Sequence, residues 1–286
     1  MAEDDTITMS PLLKHPVLRR GPERWLAGVA RTLQRSGLRR STARPGSRIA
    51  LAALLGLAGC HHAPLGDDNV PSSAFPAPAR PVAPIISAGW SNEDARDKAG
   101  EANAVMREAG IRRGMTVADI GAGEGYYTVR LAARVGASGR VLAEDVVSQV
   151  RDALADRVAR ERLDNVSVRL GLPADPRLPR GSFDRIMLVH MYHEIASPYE
   201  FLWRIWPALK SGGRIVVVDA DRPTLAHGTP PALLACEFAA IGYVRVAQVP
   251  MPSAGGYLAM FAAQNPRTDP KAIQRCGEDG RILPAG

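Results

Sequence analysis

Three glycines spaced two apart, Gly121, Gly123 and Gly125, follow an apolar stretch that carries Asp119 near its end. Glycine has no Cβ, so a turn built from it reaches positive φ and lets a ligand touch the backbone. The residues after Gly125 read as a helix, whose outward-pointing first amides favour the electron-rich part of a ligand. The spacing is G-x-G-x-G rather than the G-x-G-x-x-G of dinucleotide sites, which argues against a nicotinamide enzyme. A second reactive group, His190, Tyr192, His193 and Glu194, closes another apolar run. Histidine titrates near neutrality, so His190 and His193, with Tyr192 between them, are candidates for removing a proton. His190-x-x-His193-Glu194 lacks the H-E-x-x-H order of zinc helices and no further ligand cluster is evident, so no metal is expected.

These residues need elements to position them. Ser91 reads as the N-cap of a helix with an acidic first turn, running to about residue 109 where Gly110 stops it. Strands are expected at 116–120, 140–144, 166–170, 185–189 and 214–218, with a late pair at 243–249 and 257–262 joined by PMPSAGG. Helices are expected at 126–135, 147–162, 198–209 and 231–241. The 185–189 strand is apolar throughout after Arg185, as a central parallel strand is. Strands alternating with helices imply a doubly wound α/β sheet, which binds ligands beyond the carboxyl ends of its strands. That edge collects Asp119, the glycine turn, Asp145, Asp175, the HMYHE loop and Asp219.

The run VADIGAGEGYYT (117–128) is followed in order by GRVLAEDV (139–146), GSFDRIMLVHMYHEI (181–195) and LKSGGRIVVVDAD (209–221). From about Ala102 to Gln264 the chain resembles the class I S-adenosylmethionine-dependent methyltransferases. Around MYHEI and DPRLP it resembles the bacterial, ubiquinone-biosynthesis-like group among them. The resemblance implies a Rossmann-like, doubly wound, seven-stranded sheet of order 3-2-1-4-5-7-6 with its last strand antiparallel. It implies S-adenosyl-L-methionine as cofactor, held by Asp119, Gly121, Gly123, Gly125 and Asp145. Asp145 matches the acid that accepts hydrogen bonds from both ribose hydroxyls, with Glu144 as the fallback. The family often has Gly-Asp after strand three, where this chain has Gly171-Leu172, so Asp175 is the candidate for the adenine contact. Methyl transfer from a sulfonium is an in-line displacement that needs positioning, exclusion of water and sometimes loss of one proton. His190, Tyr192 and His193 are the candidates for that last role. The acceptor implied is a small molecule or an envelope component. The alternative is a methyltransferase-fold lipoprotein that binds a nucleoside-type ligand without turnover.

The net charge of the 286 residues is +7, but its location matters more than its size. Residues 1–60 hold ten Lys/Arg against four Asp/Glu, and the remainder 26 against 25. The body is therefore nearly neutral, without a basic run to neutralise phosphates, and nucleic acid is not an expected partner. Arg39, Arg40, Arg44 and Arg48 precede the apolar run 49–57, which ends in Leu57-Ala58-Gly59-Cys60. The run is short for a membrane span, and its end resembles the bacterial lipobox, whose cysteine is lipidated. That reading places the chain at the cell envelope, anchored through Cys60, with a cytoplasmic location as the alternative. The expected organisation is a basic extension and signal segment (1–60), a proline-rich linker with little ability to pack (61–90), the methyltransferase domain (91–265) and a polar tail (266–286). Cys236 and Cys276 show no metal-type spacing. They are either idle thiols or, in an oxidising compartment, a pair. Nothing in the pattern specifies an oligomeric state.

Overall fold

The computed structural model describes residues 69–86 and 92–284; Cys60 and Ser91 lie outside the described residues. All the described residues fall in one compact unit. Its centre is a seven-stranded sheet of order β3-β2-β1-β4-β5-β7-β6. The strands are β1 Thr116–Ile120, β2 Arg140–Asp145, β3 Val166–Leu170, β4 Phe183–Val189, β5 Leu209–Asp219, β6 Tyr243–Met251 and β7 Gly256–Ala263. β1 to β5 pair in parallel, and β7 runs antiparallel between β5 and β6. The helices are α1 Glu93–Lys98, α2 Glu101–Glu108, α3 Tyr126–Val135, α4 Ser148–Arg160, α5 Pro198–Ile205 and α6 Pro231–Ile241.

Both faces of the central strands are covered, which is why β4 and β5 read as apolar runs rather than as alternation. Ile186, Leu188, Ile215 and Val217 face one core with Leu202 and Phe238 of α5 and α6. Met187, Val216 and Val218 face the other, with Val105 of α2 and Leu131 of α3. The first helix is broken where continuity was expected. Gly100 takes φ +68° and separates α1 from α2. α1 is capped by Asn92, whose side chain accepts from the Asp94 amide at 2.9 Å. The fifth strand starts earlier than the expected 214, and Gly212 and Gly213 lie within β5 itself. Pairing steps from Phe183–Leu209 to Arg185–Arg214, so residues 210–213 bulge from the ladder.

The described part of the proline-rich segment, residues 69–86, does pack, contrary to the reading of a linker with little ability to do so. Phe75 meets Trp203 edge to face at 5.4 Å, and the Arg204 guanidinium donates to the Val70 carbonyl at 2.7 Å. Arg80 is the main fastening. Its Nε donates to Glu237 Oε1 at 3.0 Å, with both side chains fully buried. Prolines cannot supply ladder donors, but they present carbonyls, and the Pro81 oxygen accepts from Thr224 Oγ1 at 3.0 Å. The tail docks as well. Cys276 is buried and disulfide-bonded to Cys236 of α6, and Ala79 bridges Gly277. Among the described residues no helix is long and apolar enough to cross a membrane.

Candidate functional site

The strand order reverses between β1 and β4, so their carboxyl ends diverge and leave a crevice of about 730 Å³. The glycine turn forms its floor. Gly121, Gly123 and Gly125 all take positive φ. Gly125, at +89°, caps α3, and a Cβ there would stand 2.4 Å from Leu154 Cδ1. Any other residue at that position would be strained and would push α4 away.

Asp145 ties this turn to the next strand. Its Oδ2 accepts from the Gly123 amide at 3.0 Å and its Oδ1 from the Val147 amide at 2.9 Å. A carboxylate offers about four lone-pair sites, so acceptor capacity remains on each oxygen. Glu144 is 1% exposed and also lines the crevice, and its Oε1 has no hydrogen-bond partner among the described residues. Burial, reinforced by the charge of Asp145, pushes its carboxyl up to about 8. Gly171 makes room for it, since a Cβ there would fall 1.6 Å from Glu144 Oε1. Asp119 closes the acidic arc. It accepts from Thr128 Oγ1 at 2.6 Å, and burial raises its carboxyl to about 6.

The opposite wall comes from α1, α2 and the first turn of α3. Arg96 lies 3.7 Å over the Tyr126 ring and forms two hydrogen bonds to Glu101, at 2.8 and 2.5 Å. Tyr127 donates to the same Glu101 at 2.9 Å. Arg96 and Glu101 went unread in the sequence, because a charged pair at the start of a helix looks the same on a solvated face.

The HMYHE loop separates its members. His190 takes φ +55°, its amide donates to the Val218 carbonyl at 2.8 Å, and its side chain lines the crevice. Its Nε2 lies 4.0 Å from Glu101 Oε1, and burial lowers its pKa. Tyr192 turns the other way, which corrects its assignment as a catalytic candidate. It is fully buried and donates to Glu237 Oε2 at 2.7 Å, beneath Arg80. His193 is buried behind the crevice wall, so it too is corrected as a direct base. Its Nδ1 sits 3.0 Å from Asp219 Oδ2, while its Nε2 has no hydrogen-bond partner among the described residues. Asp219 accepts from Thr229 Oγ1 at 2.7 Å and from the Ala220 amide at 2.9 Å. Glu194 lines the crevice and accepts from the Ile86 amide at 3.0 Å. Asp175 does not reach the crevice. Its side chain accepts from the Arg177 amide at 2.8 Å, and Leu172 and Pro173 stand at the wall instead. The fold also brings His227 to His193 and Glu194, with ligand atoms all within 4.8 Å of one another. His227 lies 33 positions after Glu194, so no local spacing announced it.

Sheet order, glycine turn and strand-end acid together define a domain of the Rossmann-like class I methyltransferase fold. Residues 118–217 match the family model described as a methyltransferase domain. The ubiquinone/menaquinone biosynthesis C-methyltransferase of Enterobacter sp. (strain 638) is 29% identical over 124 residues, 41% of this chain and 47% of that protein. The nocamycin O-methyltransferase of Saccharothrix syringae is 42% identical over 73 residues, 26% of each chain. The chain thus spans about half or less of these curated relatives. Among solved structures, a SAM dependent methyltransferase from Aquifex aeolicus superposes with a TM-score of 0.52 at 22% identity. The match covers 60% of this chain and 97% of that one, which establishes the shared fold.

Proposed function

We propose that this chain is an S-adenosylmethionine-dependent methyltransferase acting on a small-molecule or cell-envelope acceptor. The observation that carries the reading is a crevice floored by the glycine turn, with the buried carboxyls of Asp119, Glu144 and Asp145 along one side. That acidic arc suits a ligand bearing positive charge, and the turn lets such a ligand reach the backbone. The names of the matched relatives support the same class. When bound, S-adenosylmethionine supplies a methyl group on a positively charged sulfur. Asp145 would accept from sugar hydroxyls with its remaining lone pairs, and Asp119 and Glu144 would favour the cationic part. His190, held at the mouth by its Val218 hydrogen bond and kept neutral by burial, would take the proton from an acceptor hydroxyl, carbon or amine.

The test uses the full chain in two assays. Calorimetry with S-adenosylhomocysteine should show micromolar binding. Asp145→Ala should weaken it by about 1.5–3 kcal/mol, as loss of hydrogen bonds to a charged group does. His190→Gln should leave that binding intact while lowering transfer of labelled methyl to envelope extracts about 10²-fold or more. Binding without transfer to any fraction would replace catalysis by ligand storage. Equal binding by Asp145→Ala would remove Asp145 from the site.

The location proposed is the cell envelope, through a lipidated Cys60. The buried Cys236–Cys276 disulfide supports it, since such bonds persist in oxidising compartments. Labelling of Cys60 by palmitate in cells, absent in Cys60→Ala, checks the anchor. Unlabelled wild-type protein in the soluble cell fraction would refute it.

A further inference from the structure

The HMYHE loop leaves one feature that methyl transfer does not use. His193 is fully buried, its Nδ1 is engaged by the Asp219 carboxylate at 3.0 Å, and its Nε2 has no hydrogen-bond partner among the described residues. Asp219 already accepts from Thr229 and Ala220, so it serves as an acceptor here too and keeps the imidazole proton on Nδ1. In that tautomer Nε2 is an acceptor with no donor among the described residues, and an unpaired buried polar atom costs free energy. A carboxylate on one ring nitrogen and a free lone pair on the other is how metal-binding histidines are prepared.

The groups facing that lone pair are metal ligands too. Glu194 Oε1 is 4.0 Å from Nε2, and His227 stands edge to face with His193 at 5.4 Å between ring centroids. The three ligand atoms lie within 4.8 Å of one another. Around a tetrahedral ion with bonds of about 2.0–2.1 Å, ligand atoms stand about 3.3–3.4 Å apart. Reaching that spacing from 4.0–4.8 Å means bringing the ligand atoms about 0.6–1.5 Å closer together. Glu194 is on the crevice wall, and His227, at φ +57°, is half-buried on the loop after β5.

We infer that His193, Glu194 and His227 bind a divalent ion of the zinc class, at the edge of the crevice. Two imidazoles and one carboxylate suit a borderline transition ion rather than Mg²⁺ or Ca²⁺, which take oxygen shells. Three protein ligands leave a coordination position open, the pattern of sites that hold a substrate atom rather than brace a fold. The inference stands independently of methyl transfer.

The probe is Zn²⁺ itself, titrated by calorimetry into EDTA-treated full-length protein carrying His61→Ala and His62→Ala, which removes the adjacent histidine pair from competition. One equivalent should bind in the micromolar range or tighter, while Mg²⁺ should give no saturable heat. His227→Ala and Glu194→Gln should each weaken Zn²⁺ about 10–100-fold while leaving metal-free melting curves unchanged. X-ray absorption of the loaded parent protein should show two imidazoles in the zinc shell, a readout that does not depend on any variant folding. No one-equivalent binding, equal binding by His227→Ala, or a shell without imidazole would each overturn the site.

Discussion

Replacing Glu144 by glutamine should abolish one specific pH dependence of folding. The carboxyl is 1% exposed and Oε1 has no hydrogen-bond partner among the described residues. Burial, with Asp145 adjacent, lifts it from an ordinary 4.5 to about 8. Between those values the folded chain keeps a proton that the unfolded chain has released. The folded state therefore binds more protons, and stability falls as pH rises through the window. Below pH 4.5 both states are protonated and the contribution is fully present, and above about 8 its loss is complete. At about 1.4 kcal/mol per pH unit, the full loss is on the order of 5 kcal/mol. The amide introduced by Glu144→Gln fills the same space beside Gly171 without titrating. Urea unfolding followed by circular dichroism from pH 5 to pH 9 should show the wild type losing about 4 kcal/mol more than Glu144→Gln. Asp119 titrates in both proteins and largely cancels in the difference. Parallel stability curves would mean that this carboxyl is hydrated in the folded chain, and the acidic-arc argument would fail with it. The same proton offers a second readout. A cationic ligand bound at pH 7 should drive Glu144 to ionise, so the binding enthalpy should change with the ionisation enthalpy of the buffer.

Gly125→Ala should lower the melting temperature through a cost of about 1–3 kcal/mol, because its Cβ at φ +89° meets Leu154 at 2.4 Å. Arg80→Ala should cost about 3–5 kcal/mol by leaving Glu237 charged and buried, whereas Arg80→Met with Glu237→Leu should recover most of it. Denaturant titration of the three proteins distinguishes these outcomes, and a neutral Arg80→Ala would show the segment to be undocked in solution. Reducing Cys236–Cys276, 40 residues apart, should destabilise the chain by about 4 kcal/mol, measured by melting with and without reductant.

The elements that sequence pattern placed well are those whose pattern is local. β1, β3, α3 and α6 begin and end where apolar period and flanking glycines put them. The places of the glycine turn and of Asp145 were legible for the same reason, since backbone shape and strand-end position fix them. The HMYHE loop was legible only as a cluster. Side chains of neighbouring residues leave a tight turn in different directions, so His190 enters the crevice while Tyr192 and His193 go into the core. Asp175 failed because its backbone closes a turn with Leu172 while its carboxylate accepts from the Arg177 amide. Arg80 was the least legible residue. Its partner lies 157 positions away, and a cation among prolines gives no period from which burial could be read.

The interlocked segments that flank the sheet domain bear on where this molecule can be cut. A fragment limited to the sheet and its helices, from Glu93 to Ala263, would discard Arg80, Phe75 and Cys276 together. It would uncover the Trp203 ring and strand an acid on α6 in a hole meant for a guanidinium. Recombinant pieces designed from shared motifs alone should therefore precipitate, while those that retain both flanks from Val70 to Leu283 keep every clasp intact.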